Sequence, residues 1–569
     1  MTFQEASYEA ARRFLQTIVI VDNQAGYLSP PEPVQAVELV APDVLDTTGE
    51  DDREIGANPS DAPLNAMAIS EAFASQGLIC SILKPTPENA LSEAAVAASE
   101  RADVLVLDWE MADSGQLATG IARSLLSKDY SEGGKLRLIA VYTGRAPLRD
   151  VRAAFKTHYD ALDRADLAAG LGAAPSILLS KAGLTISAAH ARIIFLSKNP
   201  PPAHGGAEAQ LSVSEEDLPK RLLTEFAHFA GGLLPNATLA TIAELRRRTH
   251  RMLARFDKTL DGPILTNRAL TQHKEESEEI AANLILAELE GQVPLSHIAH
   301  EFMGAESVRE YLSFKMTNGL VPSFMKDSVG NNLQAVDLNQ ACNLIEQGLA
   351  AFDDATLDAH AQSIAVEPDK YRTDVAAGFH KRLYALLGDV KSGRAAHERF
   401  AVVSMMRRDI TGVDAWTVEN RPTMKLGTII SAGDNYWICL TPICDCVRLD
   451  SGKAALLFTQ LHKDSSTFEI VVPKDASGKS VAKLRTKPKA MQLVTMNFAN
   501  VEKGVVRAKI KGAAAIFEAW PLNAERSAMT DFAWVGELKP MQAQRLIQNF
   551  AANLARVGLD ENEWHRLQT

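Results

Sequence analysis

The sequence predicts a doubly wound α/β parallel sheet over roughly its first 190 residues, then an all-α middle and a small β-rich C-terminal module. Three observations predict the first part. Short apolar, β-branched runs recur along it: TIVIVDNQ (17–24), LICSILKP (78–85), ADVLVLDW (102–109), LRLIAVYTG (136–144) and SILLSKAG (176–183). Continuous runs of that length mark strands buried on both faces of a sheet. Stretches of helical spacing separate them, and strands alternating with helices build right-handed βαβ units. Finally, several runs end in an acid, a hydroxyl or a lysine, at the edge where open α/β sheets keep their ligands.

Each element follows from its residues. Residues 1–16 read as a short amphipathic helix ahead of the first strand. Residues 28–61 are rich in Pro, Asp, Glu and Gly, with GEDDRE at 49–54, and read as a solvated acidic insertion beside the first strand end. Helices are expected over 62–76, 87–101, 114–128 and 149–170, with helix resuming near 185–196. This places the first domain at 1–198. A linker follows over 199–213, where NPPPAHGGAEAQ is dense in Pro and Gly. From 214 to 400 apolar residues recur at three- and four-residue spacing, which predicts a helical domain. From 401 to 520 short strands with Gly, Asp, Asn and Lys turns predict a small barrel or curled sheet. Residues 521–569 hold a closing helix, expected at 537–558, and a tail.

Bulk properties narrow the class of function. Of 569 residues 46% are apolar and 23% charged, ordinary values for a soluble protein with large cores. The formal charge of -12 argues against a nucleic-acid-coating or membrane-surface protein. No apolar run reaches the roughly 18 residues that cross a bilayer, and the N-terminal segment lacks the pattern of a signal peptide. The five cysteines make no disulfide framework, which fits a reducing cytoplasm.

At successive strand ends stand Asp22 with Asn23, then Asp108, then Thr143 with Gly144, then Lys181. With the runs TIVIVDN, VLVLDWEM, IAVYTG and ILLSKAG, this order resembles the flavodoxin-like receiver domain of two-component response regulators. The resemblance covers about a third of the chain. It implies that Asp108 accepts a phosphoryl group from the phosphohistidine of a partner histidine kinase. It further implies Mg²⁺, held by Asp22, Asn23, Asp108 and the backbone carbonyl of Glu110. Lys181 would pair with one phosphoryl oxygen, and the Thr143 hydroxyl and Gly144 N–H would bond another. Three departures stand out. Asn23 replaces a second acid, Ala182 replaces the usual proline after the lysine, and Leu178 stands where an aromatic often lies three places before it.

The implied function is a phosphorelay receiver, cytoplasmic and without catalysis beyond its own phosphoryl transfer and autodephosphorylation. It would act as a relay or a phosphate sink, with a separate effector protein as a further partner. One alternative is a ligand- or nucleic-acid-binding effector in residues 214–569; the other is a degenerate receiver serving as a scaffold. The segments YWICLTPICDCVRL and RVGLDENEW also resemble features of long bacterial response-receiver proteins found beside sensor kinases, some of them in phage-defence phosphorelays.

Other clusters carry blander readings. Cys439, Cys444 and Cys446 with His462 lack the paired knuckles of a structural zinc site, and strand burial accounts for them. His297, His300 and Glu301 loosely resemble a phosphohistidine helix, but no nucleotide-binding glycine boxes follow. ELRRRTHRMLARF (244–256) reads as a solvated basic helix face, and Trp564 as a side chain packed on the barrel.

Overall fold

The computed structural model describes residues 1–26, 64–84, 95–111, 114–131, 135–145, 147–168, 178–179, 185–187, 191–198, 209–271, 274–293, 295–326, 333–351, 354–363, 365–382, 386–387, 390–413, 416–418, 420–450, 454–521 and 529–554. The acidic insertion at 28–61, Lys181, Ala182, most of the expected linker and Trp564 lie outside them. Contacts divide the chain into two compact units. One comprises 1–249 with 293–314, the other 250–292 with 315–569.

The first unit is a layered α/β structure. Helix α1 (Phe3–Phe14) opens with a capping box, in which Thr2 Oγ1 accepts from Glu5 N at 3.2 Å and Glu5 Oε2 from Thr2 N at 2.8 Å. Strand β1 (Thr17–Val21), helix α2 (Ala66–Ser75), β2 (Ile79–Leu83), β3 (Val104–Leu107), α3 (Gln116–Ser131), β4 (Arg137–Thr143) and α4 (Leu148–Ala168) follow as the apolar runs require. Then come two short strands, β5 (Leu178–Leu179) and β6 (Thr185–Ser187), and the longer β7 (Ala191–Ser197). Their order across the sheet is β2-β1-β3-β4-β7-β6-β5. The first four and β7 are parallel, and β6 runs antiparallel to β7.

This corrects the expected end of the sheet. Residues 176–183 were to supply the fifth parallel strand and 185–196 a helix. Instead β7 takes the fifth place beside β4, and residues 178–179 pair antiparallel with β6 at the edge. The reason is legible in hindsight. ARIIFLS is a continuous apolar run bounded by polar and Pro-rich segments, and such a run forms a strand when both its faces are covered.

Both faces are covered. Successive side chains of a strand point to opposite sides. Ile18, Ile20, Val104, Val106, Ala140 and Leu196 meet α1, α2 and the next two helices, α5 (Leu218–Ala230) and α6 (Leu233–Arg247). Val19, Val21, Leu105, Leu107, Val141 and Phe195 meet α3 and α4. Phe14 of α1 stacks on Phe226 of α5 with ring centres 5.8 Å apart. Thus α5, α6 and the helix Leu295–Met303, expected in a separate helical domain, pack within the first unit.

In the second unit, helices between 250 and 405 precede the barrel, and a short ribbon pairs Ser323–Lys326 with Leu333–Ala335. The barrel closes because Thr530–Leu538 pairs both with Thr428–Ala432 and with Ala514–Pro521. Closure removes exposed edges. The closing strand lies past the expected boundary at 520, and the last helix begins at Pro540 rather than at 537.

Candidate functional site

The strand order reverses at β1, whose neighbours are β2 and β3, so the crevice of this sheet opens at the ends of β1 and β3. Asp22 follows β1 and Asp108 follows β3. The sheet itself holds them there: Asp22 N donates to Leu83 O at 3.0 Å and Asp108 N to Val21 O at 2.9 Å. Both side chains are buried, with 1% and 4% of their surface exposed. Thr143, at the end of β4, is wholly buried, and its hydroxyl accepts from Arg145 N at 3.1 Å.

The lysine of this site is Lys198. It follows β7, its backbone N donates to Thr143 O at 2.9 Å, and its Nζ lies 2.6 Å from Asp22 Oδ2 and 3.3 Å from Asp108 Oδ1. Lys181, expected here, lies outside the described residues. The replacement resolves one of the departures. Phe195 stands three places before Lys198, fully buried, its ring edge-on to Phe155 at 5.8 Å. Leu178 is instead on the edge strand β5. The signal that could have found Lys198 is IIFLSKNPP, a second apolar run ending in Ser-Lys, at 197–198 rather than at 180–181.

Among the described residues two buried carboxylates share one ammonium, so these three groups carry a net negative charge in a low-dielectric crevice. Burial pushes the Asp108 carboxyl up to about 6, although Lys198 pulls it down, while Asp22 and Glu110 add to the rise. Burial works against a charged Lys198, but Asp108 and Asp22 outweigh it and raise its pKa. Lys198 Nζ also stands 5.6 Å from the centre of the Tyr142 ring.

The donor set fits a hard divalent cation. It offers two carboxylates, and Asn23 Oδ1 is buried without a hydrogen-bond partner among the described residues. An orphaned buried acceptor costs about 1–3 kcal/mol, which makes it a candidate ligand. Asn23 Nδ2 donates to Glu110 O at 3.4 Å, so the expected backbone ligand lies at the same mouth. All these donors are oxygens, the set that Mg²⁺ takes. Among the described residues no group of three or more His, Cys, Asp or Glu could hold a metal. That includes the cysteines of the barrel: Cys439 and Cys446 are buried, Cys444 is exposed, and His462 bonds Gln492 at 2.7 Å. Glu301 pairs with Arg13 at 2.7 Å, away from any histidine partnership.

Sequence reading also missed the end of the expected linker and the residues that follow it. Val213 N donates to Ser197 O at 3.0 Å, and Tyr142 Oη donates to Val213 O at 2.8 Å. Glu215 Oε1 accepts from Asn65 N at 3.0 Å, and Asn65 is the residue that caps α2 and bridges to Gly26. Residues 212–215 therefore tie the strand end carrying Lys198 to the loop carrying Asp22 and Asn23. Burial raises the Glu215 pKa, with Lys198 opposing and Asp22 adding to the shift.

Next to Asp108, Trp109 is buried and stacks on His158 at 5.9 Å. Gly115 lets the chain pass over it. Its φ is +90°, and a Cβ there would stand 2.2 Å from the Trp109 ring.

A parallel five-strand core in this order, with two acids at the switch point and a lysine on the fifth strand, defines a receiver-type fold. Residues 14–199 match the family model of the response receiver domain. Over these residues the chain is similar to response receiver domains. No curated protein and no solved structure matches the chain. Among the described residues no helix is long and apolar enough to cross a membrane.

Proposed function

We propose that this protein accepts a phosphoryl group on Asp108 from the phosphohistidine of a partner histidine kinase and serves as a relay or a phosphate sink. The observation that carries the reading is Lys198, whose ammonium lies within 3.3 Å of Asp108 and 2.6 Å of Asp22. An Asp108 oxygen attacks phosphorus, the P–N bond of the donor breaks, and the histidine keeps the electron pair. Bound Mg²⁺ would supply charge neutralisation for the phosphoryl oxygens. Asp22, Asn23 Oδ1, Asp108 and the Glu110 carbonyl would hold it. Lys198 would leave its shared position between the acids and pair with a phosphoryl oxygen, while the Thr143 hydroxyl and Gly144 N–H would take another. The site therefore exchanges one set of charge partners for another when Asp108 is modified, which is how a local charge change reaches the segment at 212–215.

The test uses the full chain, Mg²⁺, the histidine kinase encoded beside it and labelled ATP. Label is expected on the wild type and on Lys181→Ala, absent from Asp108→Ala, and strongly reduced on Lys198→Ala. Label retained by Asp108→Ala would remove the assignment. Slow decay of the label, without onward transfer, would mark a sink rather than a relay.

A further inference from the structure

The segment 249–292 has an unusual surface. It consists of the helix Thr249–Arg255, a short turn, the helix Asp261–Leu270 and the 19-residue helix Lys274–Gln292. The first two of these helices bury no residue, and of the third only Ser277 is buried among the described side chains. Yet the long helix carries the run LILAEL, with Leu284, Ile285 and Leu286 exposed by 52%, 47% and 52%. Facing it in sequence, Leu265 and Leu270 are exposed by 63% and 84%. Three consecutive apolar residues spread over more than half of the helix circumference, and such a run is stable in water only when other elements cover it, since packing supplies most helix stability.

Charge says what covers it. The limb 249–271 carries four Arg or Lys against two Asp, while the limb 274–292 carries six Glu against one Lys. Within the chain the limbs already attract one another, through Arg255–Glu288 at 3.2 Å and Arg268–Glu278 at 2.7 Å. Arg251 and Lys258 on the basic limb, and Glu279 and Glu290 on the acidic limb, are exposed and form no ion pair among the described residues. A surface with an apolar centre and one limb of each sign is complementary to itself under a two-fold axis, which sets the basic limb of one copy against the acidic limb of the other.

We propose that residues 249–292 are the interface of a homodimer, in which two copies of this helical segment close into a bundle over Leu265, Leu284, Ile285 and Leu286. The bundle is built as helix bundles generally are, with aliphatic side chains inside and charge pairs at the rim. None of its residues belongs to the Asp108 site.

Sedimentation velocity of the full chain at micromolar concentration tests this. The wild type should sediment at twice the 61.7 kDa chain mass. Leu284→Glu with Ile285→Glu, and separately Leu265→Glu, should each sediment as the single chain. Both variants should keep the wild-type circular dichroism and Asp108 labelling, which excludes misfolding as the cause. Raised salt should strengthen the apolar contact less than it weakens the charge pairs, so wild-type dissociation should increase. A wild type that remains monomeric overturns the proposal, as do variants that remain dimeric. A monomer whose apolar segment becomes protected from hydrogen exchange only when kinase is added would also overturn it and assign the surface to the kinase.

Discussion

Two buried charge clusters stand at opposite ends of the receiver sheet, and they are built on opposite principles. At the start of β4, Arg137 is fully buried and spends every donor of its guanidinium. Nε and one terminal nitrogen hold Asp129 at 2.5 and 2.8 Å, and the others reach Ser99 O and Ala102 O at 2.6 Å and Glu100 O at 3.3 Å. At the far end, among the described residues, Asp22 and Asp108 share one lysine and Asn23 Oδ1 has no hydrogen-bond partner. One cluster is saturated and the other is left wanting a cation. A saturated buried pair gives shape and nothing to exchange. A site short of positive charge has something to gain from a metal and a phosphoryl group, and it stores that gain as local instability until they arrive.

The sharpest break of the comparison is at the saturated end. Arg137→Met leaves Asp129 buried without its partner, while the three carbonyls keep other donors, Ala102 N on Ser99 O and Lys135 Nζ on Glu100 O and Ala102 O. Removing one member of a buried pair costs about 3–5 kcal/mol. Hydrogen exchange of peptides within 104–143 should therefore speed up by the factor that such a loss implies. Unchanged protection would mean that Arg137 contributes no more than a surface ion pair.

At the unsaturated end the opposite sign is expected. Asp108 ionises near pH 6 in the folded chain against an ordinary 3.8, so the folded state holds its proton more tightly than the unfolded state does. Stability from this group is present below about pH 4, falls as pH rises through 6, and then stays low. Asp108→Asn should thus stabilise the metal-free protein at pH 7.5 by up to about 3 kcal/mol, with the gain vanishing near pH 4. Melting curves in chelator at the two pH values check it. A mutant no more stable than wild type at pH 7.5 would show that Lys198 already compensates both acids.

The two ends also differ in how far the sequence reveals them. Asp22, Asp108 and Thr143 were legible because each terminates a strand whose apolar run is unmistakable, and a parallel sheet brings such ends together whatever the loops do. The lysine was not. SILLSKAG and IIFLSKNPP are both apolar runs ending in Ser-Lys, and a single chain does not say which pairs with β4. That choice is made by register: seven residues of β7 align with seven of β4, while β5 has two. Glu215 and Val213 were invisible for a different reason. They follow a Pro/Gly-rich stretch that reads as linker, and their contacts to Asn65 and Ser197 span 150 and 16 positions. The barrel was readable from turn-punctuated strands, but its closing strand was not, because closure is a pairing between distant runs rather than a property of either.

Asn23 offers the smallest and most informative change. Asn23 directly follows Asp22, which shares Lys198 with Asp108, so Asn23→Asp adds a third carboxylate to a crevice that already holds two. Without metal the variant should melt slightly below wild type, because like charges at short range repel. With Mg²⁺ the order should reverse, since cation affinity rises with the charge of the oxygen ligands and ligand binding stabilises the folded state in proportion to the logarithm of concentration over Kd. The quantity to measure is the shift in melting temperature on adding Mg²⁺, compared between the two proteins over a concentration series. A larger shift for Asn23→Asp, reached at lower Mg²⁺, would locate the cation at this side chain and show that the natural chain trades metal affinity for a less strained resting site. Equal shifts would mean that the cation binds without Asn23, and that the orphaned oxygen is a cost the fold tolerates for another reason.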